Sequence, residues 1–271
     1  MVAARQPLLF YDAVHGTVNR YGGWPYDWDM GYPSTVWSFV AGSAEMEWKQ
    51  GSNASSRGLS EKSPGPFAAA HAHSDKTFFS LGGSFDPDAA QFPETVLSGL
   101  VAQDFAQGTW SNYSTTSGGQ ALHRTQARAV LSPNFGSDGF LIIIGGEAPP
   151  TESSAYNEGR SMVEMSAITL YDIANKVWFV QTAVGDVPPI RSEFCAVGSP
   201  SGDGKTFELQ VAVEDRFLFL LHILIVLSGL SSAAPSTTLL IWPTLMMRAT
   251  RMYTCSPCPL SDGSKPMPPR R

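Results

Sequence analysis

Three times in this chain an apolar run stops on two adjacent glycines. VNRYGGWP ends on Gly22 and Gly23, TFFSLGGSF on Gly82 and Gly83, and FLIIIGGEA on Gly145 and Gly146. The junctions lie 60 and 63 residues apart, and a tryptophan follows each second glycine after 25, 27 and 32 residues: Trp48, Trp110 and Trp178. Three units with one order of parts mark a repeat architecture. Glycine in a sheet marks a bulge or a close approach of other backbone. A pair at a strand end therefore predicts tight geometry together with packing against a neighbouring unit. Gly118 and Gly119 follow the polar stretch SNYSTTS and read as an ordinary turn.

Composition agrees with a chain made of strands and turns. Charged residues make up only 15% of the 271, while Gly 25 and Pro 20 supply turns, which favours an all-β fold. Lys+Arg 18 against Asp+Glu 24 gives a net charge of −6, so the basic footprint of a nucleic-acid binder is missing. Three cysteines, Cys195, Cys255 and Cys258, are too few for a disulfide framework. The first residues, MVAARQPLLFYDAVHG, hold too short an apolar run for a secretion signal.

The third unit is the most detailed. MVEMSAITLYDIANKVWFVQ reads as an alternating strand, a turn over Asp172 to Lys176, and a second strand, with six residues between Tyr171 and Trp178. An apolar run, two glycines, then a tyrosine and a tryptophan at that separation resemble the kelch repeat, and YGGWPYDW and LYDIANKVWF are similar to fungal kelch-repeat proteins. The resemblance implies four-stranded antiparallel blades arranged radially in a β-propeller. It covers residues 8–211, with units at about 8–57, 66–116 and 121–186 and the start of a fourth at 187–211. Counted back from each tryptophan, the tyrosine position is Ala41 in the first unit and Gln103 in the second, although Asp104 matches Asp172. Three such units do not close a ring of about 4–8 blades, so an incomplete ring is expected.

Candidate chemistry is sparse. His71 and His73, two apart on a strand, leave the same face and form a candidate metal-ligand pair, with no third ligand nearby. The ordinary alternative is a pair of polar blade residues, and no cofactor is expected. Cys195 reads as a small buried residue in the first strand of the fourth unit. Asn53 and Asn112 begin glycosylation triplets in what read as polar loops past a tryptophan. Phosphate-binding loops, nucleophile elbows and zinc-protease helices are missing from the sequence.

Residues 212–271 break the pattern and read as an irregular, disordered or short helical tail with an apolar segment at 217–230. Extended to Ala234, that segment is a marginal candidate for a single membrane span. Cys255 and Cys258 form a lone C-x-x-C. Shifted by one reading frame, Ala233-Ala234 can read as the missing diglycine and Asp262-Gly263 as its tryptophan, which predicts that the sequence from about 212 derives from an unspliced intron and an out-of-frame exon.

The resemblance implies a non-enzymatic module that contacts proteins or glycans through its blade loops. Two alternatives stand beside it. One is a carbohydrate-active or copper oxidase of galactose-oxidase-like propeller type. The other is a membrane-anchored protein of the cell surface.

Overall fold

The computed structural model describes residues 4–25, 35–42, 47–53, 65–85, 95–117, 120–148, 160–185, 187–212, 221–227 and 237–243. All regular structure among them is β. Three four-stranded antiparallel sheets follow one another, each a meander in which chain order equals spatial order. Sheet I holds Leu8–Asp12, Thr17–Tyr21, Thr35–Val40 and Lys49–Asn53. Sheet II holds Ala70–His73, Thr77–Leu81, Leu100–Asp104 and Trp110–Tyr113. Sheet III holds Arg128–Ser132, Phe140–Ile144, Ala167–Asp172 and Val177–Thr182.

The first strands of successive sheets pack against each other: Leu8–Asp12 on Ala70–His73, that strand on Arg128–Ser132, and the latter on Cys195–Pro200. Sheets that touch along their first strands fan out from a common axis, and these are propeller-type blades in an incomplete ring. Three apolar layers fill the spaces between them. Leu8, Phe10 and Tyr21 meet Phe78, Phe105 and Trp110 between sheets I and II. Phe79, Leu81 and Leu100 meet Leu141, Ile143, Tyr171 and Trp178 between II and III. Phe140, Ile142, Ile144 and Leu170 meet Phe194, Phe207, Leu209 and Val211 between sheet III and a fourth sheet, sheet IV, that opens with Cys195–Pro200 and Thr206–Ala212.

This layering explains why FLIII is apolar without interruption. Alternate residues of a strand face opposite sides, and here both sides are covered: Leu141 and Ile143 by sheet II, Phe140, Ile142 and Ile144 by sheet IV. Each fully buried side chain of this kind contributes about 1.5–3 kcal/mol of transfer free energy. Leu8–Asp12 of sheet I alternates between buried and exposed, because only one of its faces is covered.

Sheet IV departs from the sequence reading. Cys195–Pro200 and Thr206–Ala212 continue into two further antiparallel strands, Leu221–Leu227 and Thr237–Pro243, and Val184–Gly185 pairs with the last in parallel. Residues read as an irregular or short helical tail thus extend the fourth sheet. LHILIVL is seven residues of mostly branched and aliphatic side chains, a length and composition that suit a buried strand as well as a helix segment. No helix among the described residues is long and apolar enough to cross a membrane, so the transmembrane-helix expectation finds no support. Cys255, Cys258 and Asp262-Gly263 lie outside the described residues, as do Ala233 and Ala234.

Candidate functional site

The repeated glycines sit where one sheet meets the next. All six have positive φ, between 56° and 98°, a region L side chains rarely enter. The amide of each second glycine donates to a carbonyl in the segment leading into the next sheet: Gly23 to Pro66 at 2.9 Å, Gly83 to Arg124 at 2.9 Å, Gly146 to Arg191 at 3.0 Å. Each acceptor stands four residues before its first strand. The first glycine of each pair lies under the same segment, so a Cβ on Gly22 or Gly82 would come 2.2 Å from the Pro66 or Arg124 oxygen. Conformation and close approach both require glycine here.

A second recurring feature was hidden from the sequence reading. Gln6, Ala68, Gln126 and Glu193 all have φ between 47° and 56°, each two residues before its sheet's first strand. Their backbones are linked in succession, with the Gln126 amide donating to the Ala68 oxygen at 2.7 Å and the Glu193 amide to the Gln126 oxygen at 3.3 Å. None of these residue types favours the left-handed region. Only their constant place before the first strand could have revealed them.

Side chains reinforce the joints at equivalent positions. Trp24 packs edge-on against Phe67, with ring centroids 4.6 Å apart. The Ser84 hydroxyl donates to Thr125 Oγ1 at 3.1 Å, and the Ser192 hydroxyl to Glu147 Oε1 at 3.2 Å. Arg160, which closes the long connection of the third unit, reaches both Glu147 Oε2 and Ser84 Oγ at 3.5 Å. Arg124 is buried, and its guanidinium donates to Thr169 Oγ1 at 2.6 Å, the Gly145 oxygen at 3.2 Å and the Leu122 oxygen at 3.4 Å. Its acceptors are uncharged, and burial pulls its pKa down to about 10.

The aromatic residues of the repeat belong to the same joints. Tyr171 pairs directly with Trp178 across sheet III, ring centroids 4.6 Å apart, and Trp178 Nε1 donates to the Ser114 oxygen at 3.0 Å. Burial, then Tyr113 and Asp172, push the Tyr171 phenol up to about 12. Trp110 faces Gln103 in its own sheet and Tyr21 of sheet I, at 4.8 Å between rings. In sheet I the ring against Trp48 is Phe39, at 4.8 Å, and Ala41 lies in the turn. The turn there is two residues longer than in the other units, so counting back from the tryptophan misplaces the partner.

The candidate ligands do not gather. His71 Nδ1 lies 3.3 Å from the Ala69 oxygen and exposed His73 Nδ1 lies 3.4 Å from the Ser74 oxygen. Burial holds the His71 pKa below its usual value, with Arg128 and His73 adding to the effect against the Ala69 and Leu9 carbonyls. Among the described residues no group of three or more His, Cys, Asp or Glu is placed to hold a metal ion. Cys195 is half-buried rather than fully buried. Asn53 ends the fourth strand of sheet I, and Asn112 is an exposed residue inside the fourth strand of sheet II, not in a loop.

No protein-family profile matches the chain. Over 108 residues it is 28% identical to a kelch repeat-containing protein of Arthroderma benhamiae, a match that covers 38% of this chain and 14% of that protein. In shape it is similar to YjhT, with a TM-score of 0.51 and 11% identity over 90% of this chain and 66% of that one. A fungal alcohol oxidase of the AA5 family, solved with copper, gives a TM-score of 0.41 at 12% identity over 78% of this chain and 49% of that one. Its joints and sheets are those of a propeller-type fold, and in sequence the chain is similar to a kelch repeat-containing protein. It spans only a small part of its fungal relative and just under two-thirds of YjhT.

Proposed function

We propose that the chain is a non-enzymatic binding module that contacts a protein or a glycan through the connections at the glycine end of its blades. One observation carries this reading. The residues that recur from unit to unit are taken up in the joints, whereas the connections that leave the glycine pairs, 22–34, 82–99 and 145–166, differ in sequence and increase in length. Loops held on a rigid sheet frame are where recognition residues concentrate. The fungal kelch repeat-containing relative supports the coarser reading of a repeat binding module.

The test replaces residues 26–34, 86–94 and 149–159, one stretch at a time and then together, with short Gly-Ser linkers. Binding is read on a glycan array and against proteins of the source organism. Loss of a binding signal at unchanged melting temperature supports the reading. A signal that survives all three replacements overturns it.

A further inference from the structure

The rim of sheet II carries an exposed asparagine that the joints do not use. Of the six asparagines in the chain, only Asn53 and Asn112 begin an Asn-x-Ser or Asn-x-Thr triplet, and both stand on the outermost strands of their sheets, Lys49–Asn53 and Trp110–Tyr113. Asn112 lies two residues beyond Trp110. The same step from Trp48 and Trp178 reaches Gln50 and Val180, and all three places are exposed. The repeat therefore turns this position outward in each sheet, and the fold leaves room there for a large substituent.

Local geometry holds the asparagine in place. Asn112 pairs with Val101, and diagonal to it across the ladder is Gly99, at φ +103°. A Cβ on Gly99 would collide with the Asn112 amide, so that amide occupies the space a side chain would otherwise fill. Ser114, the third residue of the triplet, is also exposed, and its carbonyl accepts from Trp178 Nε1, which fixes the backbone there.

The edge of sheet II also lacks a common safeguard. Trp110–Tyr113 is the last strand of its sheet, and no described strand pairs with its outer side. Sheet edges of this kind are commonly blunted by charged side chains. Sheet I has exposed Lys49 on its outermost strand, whereas residues 110–117 hold no charged residue. A glycan is bulky and solubilising, and one attached here covers the bare edge.

We propose that Asn112 is an N-glycosylation site whose glycan shields the outer edge of sheet II. The donor is an oligosaccharide joined through its reducing-end C1 to a lipid diphosphate. Asn112 Nδ2 forms the new bond to C1. The C1–O bond breaks with its electron pair leaving on the lipid diphosphate, and the amide gives up one proton.

The experiment isolates the full chain from its source organism and treats it with an N-glycosidase in heavy-oxygen water. Release of an asparagine-linked glycan leaves a carboxylate bearing one heavy oxygen, so the peptide spanning 110–117 gains a mass label. We expect that label on most of the peptide, its loss in Asn112→Gln and in Ser114→Ala made in the same host, and its retention in Ser114→Thr. On warming, the enzymatically deglycosylated protein and Asn112→Gln should both aggregate several-fold faster than the glycosylated chain. A 110–117 peptide without the label overturns the proposal, as does a label confined to Asn53, because Asn112 is then an ordinary polar rim residue. Equal aggregation rates with and without the glycan overturn the shielding role.

Discussion

The Gly83 amide nitrogen lies 2.9 Å from the Arg124 carbonyl oxygen, 41 residues away and in the lead-in to the next sheet. The bond joins the end of one blade's second strand to the start of the next blade. With φ +87° and its Cβ position already within 2.9 Å of Ala69, Phe67 and Pro66, Gly83 has no room for a side chain. The bond recurs at Gly23 and Gly146, so the same backbone joint is used three times and each neighbouring pair of sheets is pinned in one relative position.

Replacing the first glycine of a pair should therefore cost far more than replacing a surface glycine. Gly82→Ala would put a Cβ 2.2 Å from the Arg124 oxygen at φ +58°, while Gly202 has nothing within 4 Å. We expect Gly82→Ala to lower unfolding free energy by about 3 kcal/mol and Gly202→Ala to change it by less than about 0.5 kcal/mol. Urea midpoints of the two variants decide this, and equal losses would mean that the glycine pair is an ordinary turn.

Trp110 and Trp178, both buried, differ in one atom's partner. Trp178 Nε1 donates to the Ser114 oxygen, whereas Trp110 Nε1 has no acceptor among the described residues. Trp→Phe removes similar ring volume at both places. The Trp178 variant should therefore lose about 1 kcal/mol more, the worth of one hydrogen bond whose acceptor is left behind. Equal losses at the two positions would show that the Ser114 bond adds nothing.

Much of the frame was legible in the sequence, because glycine pairs, branched runs and tryptophans each answer to a local demand. FLIII could announce a strand covered on both faces, and Gly145-Gly146 a close approach. The lead-in residues Gln126 and Glu193 could not, since the left-handed turns they make are imposed by the stacking of sheets and oppose their own preferences. Phe39 was missed for a different reason: the lengthened turn before Trp48 broke a fixed count. His71 and His73 were visible as a pair, but whether other ligands converge on them depends on how distant segments meet.

Aspartates set the turns between third and fourth strands. Asp172 accepts from the Asn175 amide at 3.0 Å and from Asn175 Nδ2 at 2.8 Å, while Asp104 accepts only from the Gln107 amide, at 2.8 Å. Both turns close with a left-handed residue, Lys176 or Gly108, whose amide donates to the aspartate's own carbonyl at 2.8 Å. At about 1 kcal/mol per bond, Asp172→Ala should cost roughly twice as much as Asp104→Ala. Thermal melts of the two variants in one buffer provide the comparison, and a larger loss at Asp104 would contradict it.

His71 should make the chain acid-sensitive. Burial is the main reason its pKa in the folded chain is below the ordinary 6.5, and the nearby charges of Arg128 and His73 push the same way against the Ala69 and Leu9 carbonyls. The unfolded chain then binds the proton more readily than the folded one, so the contribution of His71 to stability is complete above pH 6.5. It declines as the pH falls from there toward the folded value and levels off below it. His71→Gln keeps a polar side chain at the same place but cannot take up a proton. Its urea midpoint should fall less between pH 7 and pH 5.5 than that of the unaltered protein, whose other titrating groups are unchanged. Parallel declines for the two proteins would remove His71 as a source of the acid response.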